Sequence, residues 1–190
     1  MDLMQWIGAD LAGVRQKLNG AVVALVPDER WAERADGGGS SLNHLLLHLA
    51  RHQDLAITTA IRNKPPLFDA HRGALGLAEA SPMAGIAEVE DPWVTAGLQR
   101  EPLMRYVDAV FDATERWLGR VASMALDTIP STSRRLATHA GITTQEAEWL
   151  HAMWSAKTVA WLVQWPVIGH GNAHVGEMIS VRNRLGYSPF

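Results

Sequence analysis

The sequence predicts an all-α protein: a four-helix bundle with a long connection between its second and third helices. Three observations carry that expectation. No stretch shows the sustained apolar/polar alternation of a half-buried strand. Apolar residues recur instead at spacings of three and four, and glycine- or proline-rich breakers divide the chain into segments of helical length. In a bundle of this kind, metal and ligand sites are built from side chains on facing helices.

The first helix is expected over about residues 2–26, where Leu3, Ile7, Leu11, Val14, Leu18 and Val22 line one face and Pro27-Asp28 ends it. Gly37-Gly38-Gly39 is a flexible breaker, after which Ser40 or Ser41 can cap a second helix over 41–62. Pro65-Pro66 stops it. Residues 64–100 carry Pro65, Pro66, Pro82 and Pro92 among scattered glycines, which reads as a long irregular connection with one short helix near 74–80. A third helix is expected from Pro102 to Met124, proline suiting a first turn. A loop through Ile129-Pro130 comes next, and then Thr143-Thr144-Gln145-Glu146 resembles a helix start and opens a helix over 144–155. Thr158 begins a last segment that reaches Leu185, kinked at Pro166 and terminated at Gly186.

Composition narrows the function classes. At 190 residues the chain suits one domain, 1–190, with a sizeable core. The net charge of −3 and the scatter of basic residues leave no electrostatic footprint for nucleic acid. No run is long and apolar enough to suggest a membrane span, and the N-terminus lacks the pattern of a signal peptide, so a cytoplasmic location is expected. There is no cysteine, so a metal would need nitrogen and oxygen ligands, and thiol chemistry would need a thiol from outside.

Histidines are the informative residues. Eight in 190 give by chance roughly a third of one pair at i,i+4. The chain holds His44/His48, His48/His52 and His170/His174. Residues four apart stack on one helical face, so one helix can present two imidazoles to one ion, and a third from another helix leaves the open position of a catalytic metal site. The competing reading is ordinary core or surface histidines. Setting His170 at 0° on a wheel of roughly 100° per residue, His174 lies near 40° and Glu177 near −20°, among the core-type Val167, Met178, Val181 and Leu185. Gly169, Ala173 and Gly176 form a small-residue stripe that suggests close approach by a helix or ligand. Ile168, Val175 and Ile179 make an opposed apolar arc that suggests a second subunit, hence a homodimer.

These features together resemble the DinB-like (YfiT-like) superfamily, to which mycothiol-dependent maleylpyruvate isomerases and bacillithiol transferases belong. The carrying residues are His48-Leu49-Ala50-Arg51-His52-Gln53-Asp54, Trp165 through His170, and His174-Val175-Gly176-Glu177-Met178-Ile179. The resemblance implies a bundle binding zinc or nickel through His48, His170 and His174, with His44 or His52 replacing His48 if the helix is rotated. Glu177 extends the same face as a catalytic base, a fourth ligand or an anchor for a ligand, and Arg51 is its expected salt-bridge partner. The implied activity is a metal-dependent S-transfer or isomerisation using a low-molecular-weight thiol, mycothiol if the source is actinobacterial, on a small-molecule substrate. A metal-assisted hydrolase and a non-catalytic binding or stress-response bundle are the alternatives.

Overall fold

The computed structural model describes residues 2–190. Helices make up its regular structure, and no strand occurs among the described residues. Helix α1, Leu3–Leu18, starts at Asp2, whose carboxylate accepts from the Gln5 amide while the Gln5 side chain reaches back to the Asp2 amide. It runs on through a wider turn, Asn19–Val23. Helix α2, Leu42–Asp54, is capped by the Ser41 hydroxyl and continues as a wide turn, Leu55–Ile61. The short α3 (Phe68–His71) and α4 (Pro92–Thr95) sit in the long connection before α5, Arg100–Leu118. Then come α6 (Thr132–Ala140), α7 (Glu148–Trp154) and α8 (Val159–Leu162). A wide turn, Val163–Gly169, leads into α9, His170–Arg184.

Four long helices close a ring: α2 packs on α5 and α9, and α1 packs on the same two. A single apolar cluster extends from Leu11 to Val181 through this ring. Arg15 pins α1 to α5 from outside by donating to Asp108, Asp112 and Glu115 at 2.7–3.1 Å.

Several expected boundaries move. The short helix expected at 74–80 is instead Phe68–His71, and residues 72–76 are turns. It begins there because the Asp54 carboxylate accepts from the amides of Leu67 and Phe68, a long-range cap no local pattern discloses. The third helix stops at Leu118, before Gly119, short of Met124. The stretch expected as loop contains α6, which Gly141 ends with φ 66°. Thr143 and Glu146 do exchange hydrogen bonds, but they close a turn, and α7 starts only at Glu148. Pro166 falls inside the last segment as expected. Lacking an amide proton, it leaves the i→i−4 ladder open, and the backbone answers with the wide turn rather than a sharp break.

Helix α2 is unusual in one respect. Every residue from Ser41 to Ala60 is buried, including His44, His48, Arg51, His52, Gln53 and Asp54. A helix sunk on all sides with that many polar groups must find partners for them. The long connection supplies them.

A candidate metal centre of three histidines and a glutamate

Residues 82–90 run along α2 and present a row of backbone carbonyls to it. Arg51 donates to the carbonyls of Pro82 and Ala84 at 2.6 and 3.1 Å. His48 Nδ1 lies 3.0 Å from the Gly85 carbonyl, His52 Nε2 3.1 Å from that of Ile86, and His44 Nε2 3.2 Å from that of Glu88. Gly85 is required where it stands. Its φ is +74°, and a Cβ there would come within 2.8 Å of the Leu47 side chain.

The same row sorts the histidines by task. His44 and His52 spend Nε2 on the connection, whereas His48 spends Nδ1 and turns Nε2 the other way, toward α9. There Nε2 lies 3.2 Å from His170 Nε2, which is itself 3.0 Å from His174 Nε2. His174 Nδ1 is 3.1 Å from the Glu177 carboxylate. Glu88 completes the group, its oxygens 3.5, 3.8 and 4.0 Å from the Nε2 atoms of His48, His170 and His174.

Proton assignment shows whether these residues fit a metal. A carbonyl and a carboxylate only accept, so His48 and His174 carry their protons on Nδ1 and leave Nε2 bare. The buried Nδ1 of His170 has no partner. If His170 is protonated at Nε2, it can donate to one neighbour and leaves the other's lone pair without a donor. If it is protonated at Nδ1, three lone pairs meet. One cation satisfies all three at once. Four-coordinate zinc with bonds of ~2.0–2.1 Å sets its ligand atoms ~3.3–3.4 Å apart. The two separations that meet at His170 Nε2, 3.2 and 3.0 Å, are within a few tenths of an ångström of that. The donor set fits.

Burial favours the ligating form as well. Burial first, and then the neighbouring His52 and His174, push His170 down to about 3. Burial and the surrounding imidazoles likewise hold His48 far below the usual histidine range. At neutral pH both are neutral imidazoles, the form that binds metals. Burial also lowers His52 to about 4, despite its bond to Ile86.

Of the roles expected of Glu177, its contact is the one an anchor makes: it sits at the edge of His174 remote from the Nε2 cluster, where it fixes the ring's tautomer. Arg51 does not pair with Glu177. It is occupied by the two carbonyls and by the face of Phe68, 3.8 Å from its guanidinium, because α2 turns Arg51 toward the connection rather than toward α9. Of the small-residue stripe only Gly169 is tightly packed, a Cβ there meeting the Gln164 carbonyl at 3.1 Å and the Trp165 ring at 3.3 Å in its own wide turn; Ala173 is exposed and Gly176 has open space around it. Close approach occurs at Gly171, where a Cβ would lie 3.2 Å from Val14 of α1. Val175 is buried in the chain's own core, and Ile168 and Ile179, half-buried, pack against that core.

Glu88 was invisible to pattern reasoning, since it lies in an irregular segment 40 residues from its partner on α2. Over 86–90 only Ile86 is buried and Glu90 half-buried, while Glu88, like Ala87 and Val89, is exposed, so no alternation of burial marks it. Ala87, Val89 and Gly85 line a mostly apolar cleft of about 660 Å³, shared with Leu77, Met83 and Trp93.

Glu90 anchors the far end of this segment. Its carboxylate accepts from the Ser41 amide, the Ser41 hydroxyl and the Thr95 hydroxyl, and faces Arg34. Burial alone raises its pKa, but the hydrogen bonds and Arg34 outweigh burial and bring it below the ordinary 4.5. A depressed carboxyl contributes stability above its unfolded pKa and loses it as pH falls through the folded value. Thermal stability is therefore expected to weaken below about pH 4.5 in the native chain. Glu90→Gln should cost about 1 kcal/mol at neutral pH and flatten that acid limb. An unchanged acid limb in the variant would remove Glu90 from this role.

No family model matches the chain, and the curated proteins contain no match to it. Among solved structures, the chain is similar to a conserved protein from Enterococcus faecalis. The TM-score is 0.62 at 16% identity, over 98% of this chain and 99% of that one. The likeness is one of fold. Among the described residues, no helix is long and apolar enough to cross a membrane.

Proposed function

We propose that the chain is a divalent-metal-binding protein of the DinB-like type, a four-helix bundle in which His48, His170 and His174 hold zinc or nickel. In this reading it uses a low-molecular-weight thiol, such as mycothiol, to transfer or isomerise a small electrophilic substrate. The observation that carries it is the convergence of three imidazole nitrogens, two of them stripped of their protons by Gly85 and Glu177. A bound ion supplies a Lewis acid that lowers the pKa of a sulfur donor to neutrality. The chain's own residues prepare the place. Glu177 is a positioning residue that acts through His174, and the Gly85 carbonyl does the same for His48. His52, its ring 4.5 Å from those of His48 and His170, backs the site with Trp149 and Trp154 at 6.3 and 6.0 Å behind it. With no cysteine in the chain, the thiol comes from outside.

A second reading, a non-catalytic metal protein, is favoured by Glu88, which adds a fourth donor to the three imidazoles. Elemental analysis tests the common premise. The purified protein is expected to carry about one zinc or nickel per chain, and His170→Ala/His174→Ala to lose it while keeping its helical circular dichroism. A protein that holds no metal and takes none on titration would remove both readings. If metal is present, turnover with a panel of bacterial thiols separates them.

A further inference from the structure

Glu88 sets a largely exposed carboxylate against the buried nitrogens of three histidines. Among the described residues no hydrogen-bond donor holds it, and it faces three ring nitrogens at 3.5–4.0 Å, of which at least two present lone pairs. Like partial charges at that range repel. A cation among the four would turn each of those contacts attractive.

The backbone that delivers it is fixed on both sides. His48 holds the carbonyl of Gly85, His52 that of Ile86 and His44 that of Glu88 itself, while Ser41 and Thr95 hold Glu90. Three buried imidazoles on successive turns of α2 therefore set the position of one exposed acid. The side chain is not fixed. It is 67% exposed, against 1–11% for the three histidines. It can swing into water by rotating its own bonds, with no backbone movement.

We propose that Glu88 is the exchangeable fourth ligand of the metal centre, closing it at rest and yielding its place to an exogenous anionic donor. This rests on the metal-binding reading above. A divalent ion, three neutral imidazoles and one carboxylate leave a single net positive charge. A monoanion that replaces the carboxylate preserves that charge, whereas a neutral donor would add one beside buried rings. The exchange gives up one carboxylate contact for one anion contact, and the freed carboxylate is solvated at once. The incoming donors this selects are small anions and deprotonated thiols, with a soft ligand preferred by a zinc-like ion.

The test uses the full chain loaded with cobalt(II), whose visible spectrum reports coordination, and azide as the probe anion. Glu88→Ala is exposed enough to fold, which circular dichroism checks. The variant is expected to show an altered cobalt spectrum and a cobalt affinity lowered about tenfold or more, measured against a competing chelator. Azide should bind the variant about tenfold more tightly than the native protein, because its competitor is gone. Glu88→Gln, neutral but similar in shape, should bind azide as the alanine variant does. A native protein that takes up cobalt, with a Glu88→Ala variant identical in spectrum, cobalt affinity and azide affinity, overturns the role of Glu88 and leaves the three-histidine site standing. A native protein that takes up no cobalt overturns the metal reading itself, and this proposal with it.

Discussion

Stripping the metal with a chelator is expected to lower the thermal midpoint by about 8–16 °C. An ion that binds the folded chain only, present at 1,000 times its dissociation constant, stabilises it by about 4.1 kcal/mol. Each kcal/mol moves the midpoint of a chain of this length by about 2–4 °C. The physical source is local. Without the ion, His48 and His174 turn unprotonated nitrogens on His170 across 3.0–3.2 Å, and His170 has no other partner for its buried Nδ1. Scanning calorimetry with chelator, then with zinc restored, measures the shift. The His170→Ala/His174→Ala protein should show none. A native midpoint indifferent to both chelator and added zinc would mean that the three nitrogens hold nothing.

Arg51→Ala is expected to be the most damaging single change outside the metal centre, at about 3–5 kcal/mol. Arg51 is fully buried and links three parts of the molecule. Its guanidinium holds the carbonyls of Pro82 and Ala84, covers the ring of Phe68, and compensates Asp54 one turn along α2. Asp54 is buried too, which pushes its carboxyl up; Arg51 and the amides of Leu67 and Phe68 draw it back. Alanine would remove the nearby positive charge that favours the buried Asp54 carboxylate and leave two carbonyls without donors. Arg51→Lys should rescue little, since an ammonium on a flexible stem does not reproduce the guanidinium fork. Urea unfolding measures the loss, and limited proteolysis should find new cleavage within 78–88. Unfolding within 1 kcal/mol of the native chain would mean that other contacts hold this segment.

Much of the helical scaffold was legible from local pattern, because it depends on local physics. Leu3 to Val22 advertise one apolar face, Ser41 caps the helix that begins just after Gly39, and Pro166 marks the irregular turn that leads into α9. His170 and His174 could be paired from spacing alone, since four residues on a helix is a distance. Where pattern failed, the deciding contact was remote. Helix α3 begins at Phe68 because Asp54 caps it from α2, and α6 escapes notice because it is short and Leu136 is its one large apolar side chain.

The sequence by itself determined that this chain is helical, that it has no thiol of its own, and that two of its helices carry histidines at ligating intervals. Only the tertiary structure decided which histidine of α2 faces α9. His44, His48 and His52 share one helical face and one residue type, so nothing local distinguishes them. What distinguishes them is the segment 82–90 laid against that face. Its carbonyls occupy Nε2 of the outer two and Nδ1 of the middle one, and so turn Nε2 of His48 toward the ring nitrogens of His170 and His174. The same segment carries Glu88 to the site. Hydrogen-bond satisfaction in a buried helix is a property of the whole fold, and here it chooses the ligand.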